Sequence, residues 1–198
     1  MSTSSGDDLG AARSQLVEIV ASALKELDPG IVMSPSPHDG HPGHELVARA
    51  AEEAMSAERR STRWWMWGLW AGLPLPTIGT AFDARVMGEI LSAVEAHRGE
   101  VERADYRKAL RGRAEMYAGL AGELLFGFGK TGTATEYAEL VTEVVGESGT
   151  WLLGATRWLR ADTIAVPPTN VDVSDWLRAE SLTTRFGTPL DRAAHVRA

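Results

Sequence analysis

The chain has 198 residues, of which 44% are hydrophobic and 24% charged, a composition typical of a soluble globular protein with one domain, or one domain and a tail. Its net charge of -7 argues against general binding to nucleic acids or to anionic membranes. It contains no cysteine, so disulfides and thiolate metal sites are excluded, and any metal must be bound by His, Asp or Glu. The N-terminal residues lack the basic and apolar regions of a signal peptide, and we expect a cytoplasmic protein.

The first part of the chain predicts helices that alternate with short apolar strands. Residues 8–28 carry apolar side chains at helical spacing, and the Pro and Gly that follow Asp28 end this helix before a buried strand at 31–33. A helix, a tight turn and an apolar strand form half of a βαβ unit, so we expect a parallel sheet. A loop rich in Pro and Gly at 34–43, a helix at 44–60 and a strand at 64–70 complete this part.

The segment Trp64–Phe82 has no charged residue over nineteen positions, which is long enough to cross a membrane. Pro74, Pro76 and three glycines divide it into short pieces, so we interpret it as a core strand followed by a loop and predict no membrane span. Farther along, we predict helices at 83–97 and 101–126, a strand or helix end at 137–145, a candidate helix at 151–159 and a turn at 166–170.

Three of the five histidines lie close together, at His38, His41 and His44. Their segment follows a predicted strand and opens a predicted helix, and sites in parallel α/β sheets form where strand ends and helix starts converge. Imidazole is the commonest side-chain ligand of zinc, and its neutral form is available near neutral pH. The segment is therefore a candidate metal or catalytic site, and the alternative is a surface loop that happens to be rich in histidine.

A series of short motifs accompanies these histidines over residues 9–145. Their segments are Asp28–Pro35, Asp39–His44, Val47–Ala51, Trp64–Trp70, Ala93–Glu100, Asp105–Tyr106 and Tyr137–Glu139. In order and spacing they resemble the later part of the PIG-L (LmbE-like) family of zinc-dependent N-deacetylases. The resemblance implies an α/β fold, a partial Rossmann-like layered sheet with helices equivalent to the later part of a PIG-L domain. We predict a PIG-L-like domain at 1–148 that lacks the family's first motif, followed by an extension of unknown role at 149–198.

The resemblance also implies a chemistry and the residues that perform it. The family uses a divalent metal, usually Zn2+, to remove acetyl groups from N-acetylglucosamine-type amides. By similarity, His44 is the metal ligand of this motif, and His41 faces the substrate as an acid or as a stabiliser of the tetrahedral oxyanion. The implied ligand is an N-acetyl sugar conjugate or a similar small molecule.

Three differences from the family pattern bear on this expectation. The family's first motif, H-P-D-D-E, supplies the other metal ligands and the general base, and it is absent from the chain. Gly43 stands where the family usually has Asp, which weakens His41 as an acid, and Gly99-Glu100 replaces "S-Q". Three hypotheses follow: a deacetylase component completed by another chain, a non-catalytic remnant or binding module that keeps the fold, and part of a longer enzyme. We expect a partner chain or a second copy to cover the exposed edge of the sheet.

Several other features are weaker candidates. Gly127–Thr133 resembles a phosphate-binding loop, but Leu124 stands where that motif needs Gly and a predicted helix precedes it, so we interpret it as a turn between helices. His97 is expected to favour the end of its helix or to pack in place, and His195 to be inert. The aromatic residues of Trp64–Trp70 are predicted to be core, with a sugar-binding crevice as the alternative.

Overall fold

The computed structural model describes residues 4–58 and 62–181, which form a mixed α/β fold. In chain order the elements are helix α1 (Ser4–Leu27), strand β1 (Ile31–Pro35), helix α2 (Pro42–Glu58), strands β2 (Arg63–Trp67) and β3 (Ile78–Phe82), helices α3 (Ala84–Glu95), α4 (Arg98–Arg103) and α5 (Tyr106–Phe126), strands β4 (Tyr137–Glu147), β5 (Thr150–Leu153) and β6 (Arg157–Trp158), a 3-10 turn at Ala161–Thr163, and helix α6 (Ser174–Arg178). They divide into two compact units. Among the described residues, unit 1 comprises 4–58, 62–75, 142–154 and 167–181, and unit 2 comprises Pro76–Val141 and Ala155–Val166.

Unit 1 contains the predicted βαβ arrangement. Strands β1 and β2 are parallel and pair along their whole length, with α2 as the connection between them. The second half of β4 runs antiparallel to β2, and β5 runs antiparallel to β4. The turn between β4 and β5 places Ser148 and Gly149 at φ values of 51° and 87°, the positive values that a two-residue hairpin requires. The sheet of unit 1 is therefore mixed, and within this unit β1 and β2 form the parallel pair that was expected.

Strand β2 is deeply buried within unit 1. Trp64 and Met66 are fully buried and Trp65 is nearly so, which is the pattern of a strand covered on both faces. Both indole N–H groups donate hydrogen bonds, that of Trp64 to Ser34 Oγ (2.8 Å) and that of Trp65 to Glu143 Oε1 (2.9 Å). These bonds fix β2 between β1 and β4, and so hold its end beside the loop that follows β1.

Unit 2 contains α3, α4 and α5 together with a sheet formed by β3, β6 and the first half of β4. In that sheet β4 is antiparallel to β3, and β6 is parallel to it. The carboxylate of Asp83 accepts a hydrogen bond from the amide of Val86 (3.0 Å) and caps α3, and Asp105 caps α5 in the same way. Because Asp105 starts a new helix, the single helix predicted at 101–126 is wrong, and two helices stand in its place.

Other predictions are corrected at their ends or in type. The strand predicted at 64–70 ends at Trp67, and the helix predicted from residue 44 begins at Pro42, since Pro is well tolerated at the first helical position. The helix predicted at 151–159 is wrong, because this segment forms β5 and β6.

Segment 137–145 belongs to strand β4, which resolves the alternative between a helix end and a strand. The loop Gly127–Thr133 therefore joins a helix to a strand rather than two helices, and α5 precedes it as predicted. The predicted domain boundary between residues 148 and 149 lies in the β4–β5 turn and stays a prediction. Across the parts of the chain that the structure describes, no helix is long and apolar enough to cross a bilayer.

Candidate functional site

The three clustered histidines lie where β1 gives way to α2. His38 and His41 are in the connecting loop, and His44 is in the first turn of α2. The amide of Ser36 donates a hydrogen bond of 2.7 Å to the carbonyl oxygen of Trp67, which ties this loop to the end of β2. The histidine loop thus occupies the carboxyl ends of two parallel strands, the place where sites form in such sheets.

Asp39 anchors this loop. Its side chain is completely buried, and Oδ1 accepts hydrogen bonds from the backbone amides of Leu69 and Trp70, the latter at 3.1 Å. Oδ2 lies 2.6 Å from Nδ1 of His44. A buried carboxylate is tolerated only when its oxygens are satisfied, and here two amides and one imidazole satisfy them. Sequence reasoning placed Asp39 in a motif but gave it no role, because the amides that hold it lie 30 or more residues farther along the chain.

The contact with Asp39 sets the tautomer of His44. An ionised carboxylate can only accept, so the proton is assigned to Nδ1 and Nε2 keeps its lone pair. The ring meets the Trp67 indole edge-on, with centroids 5.1 Å apart, and 26% of the His44 side chain is exposed. A carboxylate behind an imidazole is the arrangement that orients metal-binding histidines, and Nε2 is the atom that would meet the ion.

His41 lies beside His44 but is exposed. The centroids of the two rings are 4.6 Å apart, and His41 also stacks on Trp70 at 5.9 Å with 20° between the planes. A Cβ atom added at Gly43 would lie 3.3 Å from Cε1 and 3.4 Å from Nδ1 of His41. Position 43 therefore faces the His41 imidazole, and a carboxylate there would be within reach of the ring.

His38 points away from this pair. Its Nε2 lies 2.8 Å from the carbonyl oxygen of Trp176, and the two rings are 5.1 Å apart. Burial lowers the pKa of His38 and outweighs the next largest effect, the hydrogen bond to Trp176, which raises the pKa. The charge of Arg49 lowers the pKa further, and that of Glu45 raises it. The structure thus brings two of the three predicted histidines together and separates the third.

Comparison with known proteins gives no relative. No model of a known protein family matches the chain, and neither does any curated protein or solved structure. The likeness to PIG-L deacetylases therefore stays a prediction from the sequence motifs.

The sequence contains two further histidines, His97 and His195. His97 belongs to unit 2, where it is exposed at the start of α4 and makes no side-chain capping hydrogen bond. His195 lies outside the described residues.

A zinc site needs more protein ligands than this pair of histidines supplies. Within residues 4–58 and 62–181, no group of three or more His, Cys, Asp and Glu side chains is arranged to hold a metal ion. Zinc in proteins usually has three or four protein ligands. His44 would supply one of these ligands through Nε2.

Proposed function

We propose that the chain is a zinc-dependent N-deacetylase, or one component of such an enzyme, that hydrolyses the amide of an N-acetyl sugar conjugate. The observation that carries the proposal is the 2.6 Å contact between buried Asp39 and Nδ1 of His44, with the ring of His41 4.6 Å away. This arrangement offers one oriented imidazole nitrogen to a metal and a second imidazole to the substrate. The resemblance to the PIG-L family supports the choice of Zn2+ and of a partial Rossmann-like layering.

In this proposal His44 holds the ion through Nε2, and Asp39 keeps the ring in place. Asp39 already accepts from two backbone amides, so its carboxylate cannot turn to bind the ion itself without leaving them unsatisfied. It is therefore a support for the ligand rather than a ligand. Zinc, when bound, polarises the carbonyl group of the amide.

His41 acts on the substrate in this proposal. Its exposed ring stabilises the negative charge that develops on the carbonyl oxygen, or gives a proton to the departing amine, so that hydrolysis yields acetate and a free amine. Trp70, which is 53% exposed and stacks on His41, adds an aromatic surface for a sugar ring at the same loop.

The remaining metal ligands and the general base come from a partner chain or a second copy. Among the described residues, β1 pairs with β2 only, and Met33 on β1 is 60% exposed. An open strand edge is a template for pairing with another chain. A strand added there would have one end close to the histidine loop, where the missing groups are needed. A cytoplasmic location and the absence of nucleic-acid binding stay predictions.

A non-catalytic binding module that retains the fold is the second candidate. Gly43 favours it, because position 43 faces His41 and carries no carboxylate. In that case the Asp39–His44 contact serves only to hold the loop.

Reconstitution separates these candidates. The chain is mixed with a companion protein that bears H-P-D-D-E after a strand, and acetate release from an N-acetylglucosamine conjugate is measured with and without zinc. The deacetylase proposal predicts zinc-dependent release that is lost in His44→Ala and kept in His97→Ala, a matched control in unit 2. Binding of the conjugate without hydrolysis, unaffected by zinc, would identify the binding module instead.

A further inference from the structure

The segment 174–181, formed by α6 and the three residues after it, lies against the histidine loop. Nε2 of His38 contacts the carbonyl oxygen of Trp176 at 2.8 Å. The Arg49 guanidinium donates to the carbonyl oxygens of Leu177 and Ala179, the latter at 2.7 Å. Three parts of unit 1 meet here: the loop that precedes α2, Arg49 on α2, and the segment, which follows β6 and the 3-10 turn in the chain.

Glu45 and Arg49 each contact both the loop and the segment. Glu45 is buried, and its Oε1 accepts from the amide of Gly40 (3.0 Å) while its Oε2 accepts from the hydroxyl of Ser181 (2.6 Å). Arg49 also donates to the carbonyl oxygen of Pro37, at 3.4 Å. Gly40 directly follows Asp39. The hydrogen bond that the Gly40 amide donates to Glu45 therefore fixes the backbone next to the carboxylate that orients His44.

The segment is itself firmly seated. Leu177 is 1% exposed and belongs to the hydrophobic core of unit 1, together with Val173 just before the segment. Ser181, at its far end, is 2% exposed. Moving the segment away would expose apolar surface and leave buried polar groups without partners. The segment is therefore fixed in unit 1 and can hold the loop in place.

We infer that the segment 174–181 is a strap that holds the histidine loop in its site geometry, and that Glu45 and Arg49 are positioning residues that work through it. Release of the strap frees Glu45 and Arg49 from one side, loosens the turn at Gly40 and so disturbs the Asp39–His44 contact. The consequence for zinc and for hydrolysis rests on the proposed function, whereas the mechanical coupling does not.

Amide hydrogen exchange of the full chain tests this coupling. In Ser181→Ala the exchange of the Gly40 amide should rise about tenfold relative to amides of β2, because one hydrogen bond to a buried carboxylate is lost. Arg49→Lys should act in the same direction, since an ammonium group cannot reproduce the several directed bonds of a guanidinium. Ser14→Ala is the matched control, because it removes an exposed hydroxyl that donates to the carbonyl oxygen of Gly10 in α1. It should change the exchange rate neither of the Gly40 amide nor of the β2 amides.

Comparison with β2 separates loosening of the loop from a general loss of stability. If Gly40 exchanges in both strap variants at the same rate relative to β2 as in the wild type, the strap does not position the loop and the inference is overturned. The measurement requires neither zinc nor substrate, so failure of the deacetylase proposal would leave its outcome unchanged.

Discussion

Replacing Asp39 by Asn keeps the shape of the side chain but removes its charge. Oδ1 can still accept from the amides of Leu69 and Trp70, whereas the new NH2 group would face Nδ1 of His44 and can only donate. The imidazole must then accept at Nδ1, so its proton moves to Nε2. We expect the variant to hold His44 in the opposite tautomer, with no lone pair left at the nitrogen that faces the proposed ion.

Two magnitudes follow from the contacts of Asp39. Hydrogen bonds to charged groups contribute roughly 1.5–3 kcal/mol, and the amide restores part of the lost bond, so the free energy of unfolding should fall by about 1–2 kcal/mol. Loss of the group that orients a metal-binding histidine typically lowers metal affinity about 10–100-fold. A 10–100-fold loss of affinity corresponds to about 1.4–2.7 kcal/mol, so the effects on zinc binding and on the fold should be of similar size in free energy.

Long-range 1H–15N NMR reports the tautomer of His44, and competition with a chromophoric chelator reports zinc affinity. Asp83→Asn is the matched control, because Asp83 caps α3 in unit 2 and Asn caps a helix equally well. The reasoning would be refuted if Asp39→Asn kept the proton of His44 on Nδ1 and bound zinc as tightly as the wild type.

Three further predictions concern the same chain. Gly43→Asp should raise acetate release in a reconstituted deacetylase, because position 43 faces His41. If neither Gly43→Asp nor His41→Ala changes acetate release, His41 has no role in catalysis. Burial lowers the pKa of His38, so the folded state takes up a proton less readily than the unfolded one and stability falls as the pH drops through the ordinary and then the lowered pKa. His38→Gln should flatten that fall in urea unfolding between about pH 7 and pH 5, and an unchanged slope would contradict the assignment. Gly154→Ala should lower the free energy of unfolding by about 1–3 kcal/mol, because the added Cβ would lie 2.5 Å from Oε2 and 2.7 Å from Cβ of buried Glu143. Thermal unfolding measures this loss, and a variant that unfolds at the same temperature as the wild type would contradict the prediction.

The elements around the site could be predicted because local signals agree there. Asp28-Pro29-Gly30 ends one helix, an apolar run follows, and the next Pro- and Gly-rich stretch can only be a loop, so β1, the loop and α2 are correctly ordered. At Trp151–Leu153 the local sequence signals do not agree on one type of element. A short apolar run fits a strand or a buried helix equally, and only pairing with β4, which no local pattern reveals, makes it β5.

The site was only partly predictable for a similar reason. His41 and His44 are close in sequence, so one helical turn suffices to bring their rings together. The role of Asp39 depends on amides contributed by Leu69 and Trp70 after β2, and the coupling of Glu45 depends on Ser181, 136 residues away. Only the tertiary structure brings such distant partners together, and the residue types alone do not identify them.

Zinc titration of the intact chain, followed by the imidazole nitrogen signals, decides whether His44 is a metal ligand, because it detects weak as well as tight binding. We expect the Nε2 signal of His44 to shift with added zinc, His97→Ala to leave this shift unchanged, and Asp39→Asn to weaken it. A chain in which Nε2 of His44 does not respond to zinc at any concentration, or in which His44→Ala binds zinc as well as the wild type, would contradict the assignment of His44 as a metal ligand.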